Sequence, residues 1–260
     1  MKLSWIIPIG EEESSQDIIR CFKSLKYVVE KQDEIVIVRH VTIKKLIDLL
    51  VSKFDCFIKI LDHPVTKTAA SSRNIALKNC KYKRIVFQDI DDVPHLNRRQ
   101  VIQERLIEQG SIVSTGYKSL FDGENAGKRI PKPHSLFFYF RSNIFLPTAA
   151  IYFNEINDVF FDDLKIGEDT VFFAKLIHNG YKVKICNEIT IDYNISSSKT
   201  SRKRGMEGIR NEIKYRMLML SYTSSIFQKI LVIAGGFTFS FLKIFPKKLF
   251  LILYKIGHKN

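Results

Sequence analysis

Cysteine is sparse in this chain of 260 residues, and the four that occur, Cys21, Cys56, Cys80 and Cys186, lie far apart with no C-x-x-C pair. That spacing indicates neither a zinc site nor a disulfide framework, and free thiols fit a reducing cytoplasm. The six histidines, His40, His63, His95, His134, His178 and His258, show no H-x-x-x-H or comparable ligand spacing and read as surface or capping residues. There is no G-x-x-x-x-G-K and no G-x-G-x-x-G, so phosphate-loop and dinucleotide readings have no basis. No segment reaches the roughly eighteen uninterrupted apolar residues of a membrane-spanning helix. The opening Met1 to Pro8 has only a brief apolar run before Gly10-Glu11-Glu12-Glu13, too short for the hydrophobic region of a secretory signal, and the chain is expected to stay in the cytosol.

What the chain does have is apolar residues and positive charge. At 45% hydrophobic over 260 residues it can bury a full core in one α/β domain, with length left over. The formal net charge of +14 is uneven: from Lys199 onward thirteen Lys/Arg face two acids, Glu207 and Glu212, a net of +11 that leaves about +3 for residues 1–198. A tail of that sign seeks phosphate, in nucleic acid or on an anionic membrane surface.

The stretch Arg84 to Asp92 carries the most chemistry. Ile85, Val86 and Phe87 form a short apolar run that ends abruptly in Asp89, Asp91 and Asp92, as in a buried strand delivering carboxylates to its C-terminal edge. In open α/β sheets the ligand crevice lies outside that edge. Three carboxylates within four residues repel one another unless a cation or donor hydrogen bonds offset the repulsion. A hard divalent ion, Mg2+ or Mn2+, does so while also holding a diphosphate. A solvated acidic turn is the plainer alternative.

In chain order, Leu3 to Ile9 reads as a first strand, with Pro8 near its end arguing against a central ladder position there. Ser14 or Ser15 caps a helix with Ile18, Ile19, Phe22 and Leu25 at helical spacing. Ile35 to Val38 is a second strand, Thr42 to Phe54 a helix and Cys56 to Leu61 a third strand. Beyond Pro64, Ala69-Ala70-Ser71-Ser72-Arg73-Asn74 opens a helix ending near Cys80, and the acidic strand follows. Such alternation implies a mostly parallel sheet with right-handed crossovers. Later, Ser135 to Phe140 is densely aromatic and reads as an apolar core strand. Ile166-Gly167-Glu168-Asp169-Thr170 precedes a helix with Phe172, Phe173, Leu176 and Ile177 on one face, followed by a strand from Tyr181 to Ile185.

Taken in order, these pieces resemble the family-2 inverting glycosyltransferases of the GT-A fold. The resemblance rests on the first strand ending in Ile7-Pro8, the helix closing on Cys21-Phe22-Lys23-Ser24-Leu25, the Arg73-Asn74 pair, the strand running into Asp89-Ile90-Asp91-Asp92, and Gly167-Glu168-Asp169, which is similar to the family's Gly-Glu-Asp motif. It covers roughly residues 3–200. It implies an α/β fold of the nucleotide-diphospho-sugar transferase type, a mostly parallel central sheet flanked by helices, with a catalytic domain over residues 1–198 and a basic, helical tail over 199–260.

The resemblance also implies roles. A bound Mn2+ or Mg2+ acts as Lewis acid for the leaving diphosphate, with Asp91, the last Asp of D-x-D, as metal ligand and Asp89 facing the ribose or the metal's water shell. Pro8 and Arg73 join Asp89 and Asp91 as donor-binding positions. Arg73 either meets the base or diphosphate of the donor or makes a structural ion pair with the acidic cluster, and Asp92 is left between the site and a cap on the next turn. Direct displacement with inversion needs a base for the acceptor hydroxyl, which the family places at Asp169, with Glu168 beside it. A helix dipole keeps Asp169 ionised but weakly basic, while burial and the charge of Glu168 push its pKa up. An N-cap role for Asp169 or Thr170 is the alternative.

The chain departs from the family pattern in several places. Val38-Arg39-His40 stands where the family carries a base-binding Asp, and Arg39 either meets a base or makes another contact. Ile9-Gly10 replaces the polar residue common after the first Pro. Tyr193-Asn194-Ile195-Ser196 replaces a Tyr-Arg-x-His stretch that adds a metal ligand in some members, so metal binding rests on Asp91 with phosphate and water. The processive members' Gln/Arg-x-x-Arg-Trp motif is absent, Trp5 being the only tryptophan, which favours single sugar addition.

The polar, basic stretch Ser196 to Gly205 marks the end of the catalytic core, its cations either closing over the donor diphosphate or forming a solvated linker. Beyond it Ile209, Ile213, Met217 and Leu220 keep helical spacing, and the apolar runs Ile230 to Leu242 and Leu249 to Tyr254 are bounded by lysines. That pattern suits a surface dipping into an anionic membrane interface, or a helical hairpin packed on the core. The sequence points to a metal-dependent inverting glycosyltransferase of hexosyltransferase type, moving a sugar from a nucleotide-diphosphate donor to a saccharide or lipid-linked acceptor. It would work peripherally at the cytoplasmic face of the membrane, in cell-surface polysaccharide or lipopolysaccharide biosynthesis, without a nucleic-acid partner. Two other classes stay open at this point. A sugar-nucleotide nucleotidyltransferase would want a Gly-rich triphosphate loop where Glu11-Glu12-Glu13 repel phosphate, and the tail of a basic nucleic-acid-binding protein would carry fewer aliphatic runs.

Overall fold

The computed structural model describes residues 1–63, 68–121, 123–131, 137–140, 144, 146–156, 159–195 and 205–244. Strands β1 (Ser4–Ile9), β2 (Glu34–His40), β3 (Phe57–His63) and β4 (Arg84–Phe87) alternate with helices α1 (Ser15–Leu25), α2 (Lys44–Val51) and α3 (Ala69–Asn79). These four strands pair in parallel, as the alternation predicts. The second half adds β5 (Val93–Pro94), α4 (Arg98–Arg105), β6 (Ser111–Phe121), β7 (Glu124–Arg129), α5 (Phe137–Phe140), β8 (Ala149–Tyr152), α6 (Glu168–His178), β9 (Lys182–Ile195), α7 (Gly205–Leu220) and α8 (Ile226–Leu242). Among the described residues the nine strands make one sheet in the order β3-β2-β1-β4-β8-β6-β9-β5, with β7 on β6. Antiparallel pairing enters at β8, while the long β6–β9 ladder is again parallel.

Side chains of opposite parity on the strands feed two layers, as the period of a strand requires. Ile6, Val36, Val38, Ile85 and Phe87 join one core cluster with residues of α3 and α6, while Trp5, Ile7, Ile35 and Ile37 join the other with residues of α1, α2 and α4. Full burial of a Leu, Ile or Phe side chain contributes about 1.5–3 kcal/mol, so both faces are specified strongly and the strand ends are fixed in height.

Pro8 has a ladder partner on one side only, as expected: β4 pairs with Ser4, Trp5 and Ile6, so the ladder on that side of the central strand β1 has ended before the proline, which sits opposite Val38 of β2. Two sequence expectations change. The helix expected from Thr42 begins instead as a 3-10 turn, Val41–Ile43, capped by His40, before α2. The aromatic stretch expected as a strand is helical from Phe137 to Phe140, although Phe138 and Tyr139 are buried in the core as a core element requires. Ser135 and Leu136, the cations of residues 199–204 and the apolar run 249–254 lie outside the described residues.

Helices α7 and α8 form a hairpin, and Tyr215, Met219 and Val232 belong to the same core cluster as the α6 face. Among the described residues no helix is long and apolar enough to cross a membrane. All four cysteines are free.

Candidate active site

The acidic loop that follows β4 is held by its backbone oxygens. Arg98 of α4, fully buried, donates to Gln88 Oε1 (2.5 Å), to the Phe87 carbonyl (2.7 Å) and to the Pro147 carbonyl (2.6 Å). Burial lowers its pKa to about 10, the Asp92 charge opposing the fall. Gln88 Nε2 donates to the carbonyls of Asp89 (2.7 Å) and Asp92 (3.1 Å). The Asp91 carbonyl accepts from Arg20 of α1 (3.0 Å) and from the side-chain amide of Asn194 in β9 (2.6 Å). Buried carbonyls must be paired, and here the pairing sets the conformation of the loop that carries the carboxylates.

Asp92 belongs to the scaffold of this loop. It is fully buried, and its Oδ1 accepts from the backbone N–H of Asn194 (2.9 Å), tying the loop to β9. Burial and the charge of Asp89 push its carboxyl well above the usual carboxylate range.

Arg73 joins the two motifs. Helix α3 starts at Thr68, whose hydroxyl accepts from the N–H of Ser71 (3.3 Å). One helical turn later Arg73 Nη2 reaches Asp89 Oδ1 at 2.9 Å and Nη1 reaches Glu168 Oε1 at 3.0 Å, with only 6% of the side chain exposed. Burial works against its charge, but Asp89 and Glu168 more than offset it and raise its pKa. The next residue, Asn74, accepts from Phe161 N–H and donates to Phe161 C=O, each at 2.8 Å, anchoring the segment that leads into α6. Phe161 stacks on Phe172 of α6 with centroids 3.8 Å apart, and Phe87, the last residue of β4, meets both rings edge-on at 5.8 and 6.0 Å. Aromatic pairs of this kind contribute about 0.5–1.5 kcal/mol each beyond burial, so the strand that delivers Asp89 and the helix that delivers Glu168 share one aromatic cluster.

The start of α6 answers the capping question. Gly167 is the N-cap, with φ 80°, and no side chain caps the helix. A Cβ there would overlap the Tyr215 ring of α7, so glycine is required both for the left-handed backbone and for the close approach. Asp169 therefore lies in the first turn, where its Oδ1 accepts from the N–H of Thr170 (2.7 Å), one of the free donors of a helix N-terminus. Burial raises the pKa of Asp169 despite that bond and the Arg73 charge. Glu168 is raised to about 7, by burial first and by Asp169 second, against the pull of Arg73. Carboxylates pushed up in this way are better proton acceptors than ordinary ones.

Of the sequence-predicted residues, Arg73, Asp89, Glu168 and Asp169 come together directly, Asp91 lies on the same loop as Asp89, and Pro8 stands at the carboxyl end of the neighbouring strand β1. Arg39 does not take part. It is buried and bonds Asp62 of β3 and Asp48 of α2, each at 2.7 Å, so its guanidinium is committed to two carboxylates rather than to a base. Arg20, Arg98 and Asn194 escaped sequence reasoning: Arg20 and Asn194 reach the Asp91 carbonyl across 71 and 103 residues, and Arg98 ties the loop to the Pro147 carbonyl across 49. His40 caps a turn, as expected, whereas His63 is buried and His95 is a half-buried partner of Asp192 at 2.8 Å.

Among the described residues no three His, Cys, Asp or Glu side chains converge as a cation cage. The donor set is hard oxygen on one loop, which fits Mg2+ or Mn2+, ions that keep waters and share substrate phosphates instead of demanding an all-protein shell. Two buried polar atoms at the cluster, Arg73 Nε and Asp92 Oδ2, have no hydrogen-bond partner among the described residues, as in a site shaped for a polar ligand.

The sequence matches the profile of Glycosyl transferase family 2 over residues 4–162. The chain belongs to that family. The matched span holds Pro8, Arg73, Asp89 and Asp91 and stops short of Glu168 and Asp169. Solved structures similar to this family-2 glycosyltransferase include S. aureus TarS residues 1–349 in complex with UDP-GlcNAc, at TM-score 0.69 and 16% identity over 94% of this chain and 74% of that one. The same protein in complex with UDP gives 0.66 and 17% over 99% and 80%. The mannosyltransferase PcManGT from Pyrobaculum calidifontis, in complex with GDP-Man and Mn2+, gives 0.56 and 11% over 90% and 69%. At these identities the likeness shows the fold, which is GT-A. No curated protein matches the sequence.

Proposed function

We propose that this family-2 glycosyltransferase moves a sugar from a nucleotide-diphosphate donor to a saccharide or lipid-linked acceptor with inversion. We assign it to the building of a cell-surface polysaccharide or lipopolysaccharide at the cytoplasmic face of an anionic membrane. The single observation that carries the reading is the Arg73 bridge, which holds Asp89 of the acidic loop and Glu168 of the Gly-Glu-Asp turn on one guanidinium. The acids we assign to the donor and those we assign to the acceptor thereby meet at the carboxyl edge of the sheet, where open α/β sheets bind their ligands. The complexes of TarS with UDP-GlcNAc and of PcManGT with GDP-Man and Mn2+ support a nucleotide-sugar donor and a divalent metal for this chain as well. The family match sets aside the nucleotidyltransferase and nucleic-acid-binding readings.

In this account Asp91, with Asp89, would hold Mn2+ or Mg2+, which when bound offsets the negative charge of the departing diphosphate. Arg73 orients the neighbouring acids, and Pro8 bounds the donor pocket at the end of β1. Asp169 accepts the proton of the acceptor hydroxyl. The acceptor oxygen then forms its bond to the anomeric carbon from the side opposite the diphosphate, whose own bond to that carbon breaks. Residues 1–198 make the catalytic part and 199–260 the basic, membrane-directed part. The deciding experiment is the anomeric configuration of the product by proton NMR once a donor is found: inversion supports the single-displacement role of Asp169, and retention contradicts it.

A further inference from the structure

Among the described residues the hairpin α7–α8 is packed on the core by one face and open on the other. On α8, Val232 and Gly235 are buried, and a Cβ on Gly235 would overlap the carbonyl of Phe140 in α5. On the opposite face Ile226, Phe227, Ile230, Ile233, Phe237 and Phe241 are 47–79% exposed, and Ile244 just beyond the helix is 65% exposed. Their spacing of three and four residues makes one continuous stripe along the helix. Lys229 and Thr238 are the polar residues exposed beside it, and α8 contains no acid. The outward face of α7 adds Met206, Ile213 and Met217, with Glu207, Arg210 and Lys214 exposed among them. Isolated exposed apolar residues are ordinary, whereas a contiguous stripe of this length marks an interaction surface.

The occupant follows from charge and depth. From Lys199 onward the sequence carries a net +11, and among the described residues the exposed charges beside the stripe are Arg210, Lys214 and Lys229 against Glu207, so a second copy docked through this face would set like charges against each other. A partner with a negative surface over an apolar interior satisfies both features, which is the make-up of an anionic lipid bilayer. Helix α8 has 17 residues, about 25 Å at 1.5 Å per residue, shorter than the roughly 30 Å hydrocarbon core, and its other face is committed to α5 and α7. It therefore lies along the interface instead of crossing it. We propose that the Ile226-to-Ile244 stripe is the surface by which this enzyme docks on anionic lipid.

Docking there reaches the site through packing. Tyr215 of α7 lies against Gly167, bonds Glu212, and Glu212 pairs with Arg216 (3.0 Å) and with Lys243 at the end of α8 (2.8 Å). The element that meets lipid is thus fixed to the turn that carries Glu168 and Asp169, and the acceptor class this implies is a saccharide on a lipid. The inference rests on the transferase reading only for that last step.

The test is co-sedimentation of the full chain with phosphatidylcholine vesicles with and without an equal share of phosphatidylglycerol, for the wild type and for F237E/F241E, alongside light scattering without vesicles. Both phenylalanines are exposed, so the variant should melt as the wild type does. Binding to the anionic vesicles that falls roughly tenfold or more in the variant, with a monomer in solution, supports the proposal. Binding that ignores the substitution, no binding to either vesicle, or a dimer that the substitution dissolves overturns it. Affinity for nucleoside diphosphate, measured on the same samples, reports separately on the transferase reading and should not change between the two proteins.

Discussion

Arg73 and Glu168, 95 residues apart in sequence, meet at 3.0 Å, and the same guanidinium reaches Asp89 at 2.9 Å. A charge this deeply buried is tolerated because two acids surround it, and the acids are tolerated because of the charge. Arg73→Ala should therefore leave two uncompensated, largely buried carboxylates. We expect a loss of about 3 kcal/mol, the low end for breaking a buried pair, because both acids keep some solvent contact. Urea unfolding checks it, and a loss below about 0.5 kcal/mol would mean that the bridge is not made in solution. Arg73→Lys should recover only part of the stability, since a point charge cannot span both acids.

Glu168 makes a prediction about pH. Its pKa in the folded protein is about 7 against an ordinary 4.5, with burial as the main cause. The folded state thus holds a proton that the unfolded state has released, and stability must fall as pH rises from about 4.5 to 7. Glu168→Gln removes that contribution, so the stability of the wild type relative to the variant should decline across this window. A difference that grows with pH would contradict the assignment. In assays, removing the Glu168 charge should also shift the acidic limb of kcat/KM to lower pH, because Asp169 then ionises more easily; the limb belongs to the pair in the wild type.

The order of strands and helices in the first ninety residues was legible because each buried strand is a short apolar run between turn signals, and each helix has its own apolar spacing. Asp89, Asp91, Glu168 and Asp169 stood out as acids placed where an apolar element ends or begins. Their mutual geometry was not legible. Arg39 looked available for a base because nothing local reveals that Asp48 and Asp62 converge on it. The stretch at Phe137 to Phe140 is apolar enough for either a strand or a helix, and its packing against α8 decides for helix. Strand β8 is four small or apolar residues whose antiparallel partners, β4 and β6, lie far away in sequence.

The clamp on the Asp91 carbonyl gives a third prediction. Arg20 of α1 and Asn194 of β9 both donate to that oxygen, and groups that orient a metal ligand typically account for about 10–100-fold in metal affinity. Arg20→Ala and Asn194→Ala should each weaken Mn2+ binding in the presence of a nucleoside diphosphate by about tenfold, followed by electron paramagnetic resonance of free Mn2+. Unchanged Mn2+ affinity in both variants would show that the loop holds its shape without them.

Gly167 supplies a fourth. A side chain there meets both a backbone at φ 80° and the Tyr215 ring, so Gly167→Ala should destabilise by about 1–2 kcal/mol from the left-handed backbone alone, and more from the overlap. In the Tyr215→Ala background the ring overlap is gone and only the tight contact with the Cβ of residue 215, at 3.0 Å, is left, so the cost should shrink toward the backbone part. Equal costs in the two backgrounds would mean that α7 does not press on the Gly-Glu-Asp turn.

The most direct test of the account is release of nucleoside diphosphate from a panel of nucleotide sugars, with Mn2+ and with chelator, for the wild type, Asp91→Ala and Asp169→Asn. The account predicts that one donor is slowly hydrolysed by the wild type, that chelator and Asp91→Ala abolish this while weakening donor binding, and that Asp169→Asn binds the donor but fails to transfer the sugar. Full activity of Asp91→Ala in the presence of chelator, or of Asp169→Asn with acceptor, would contradict it.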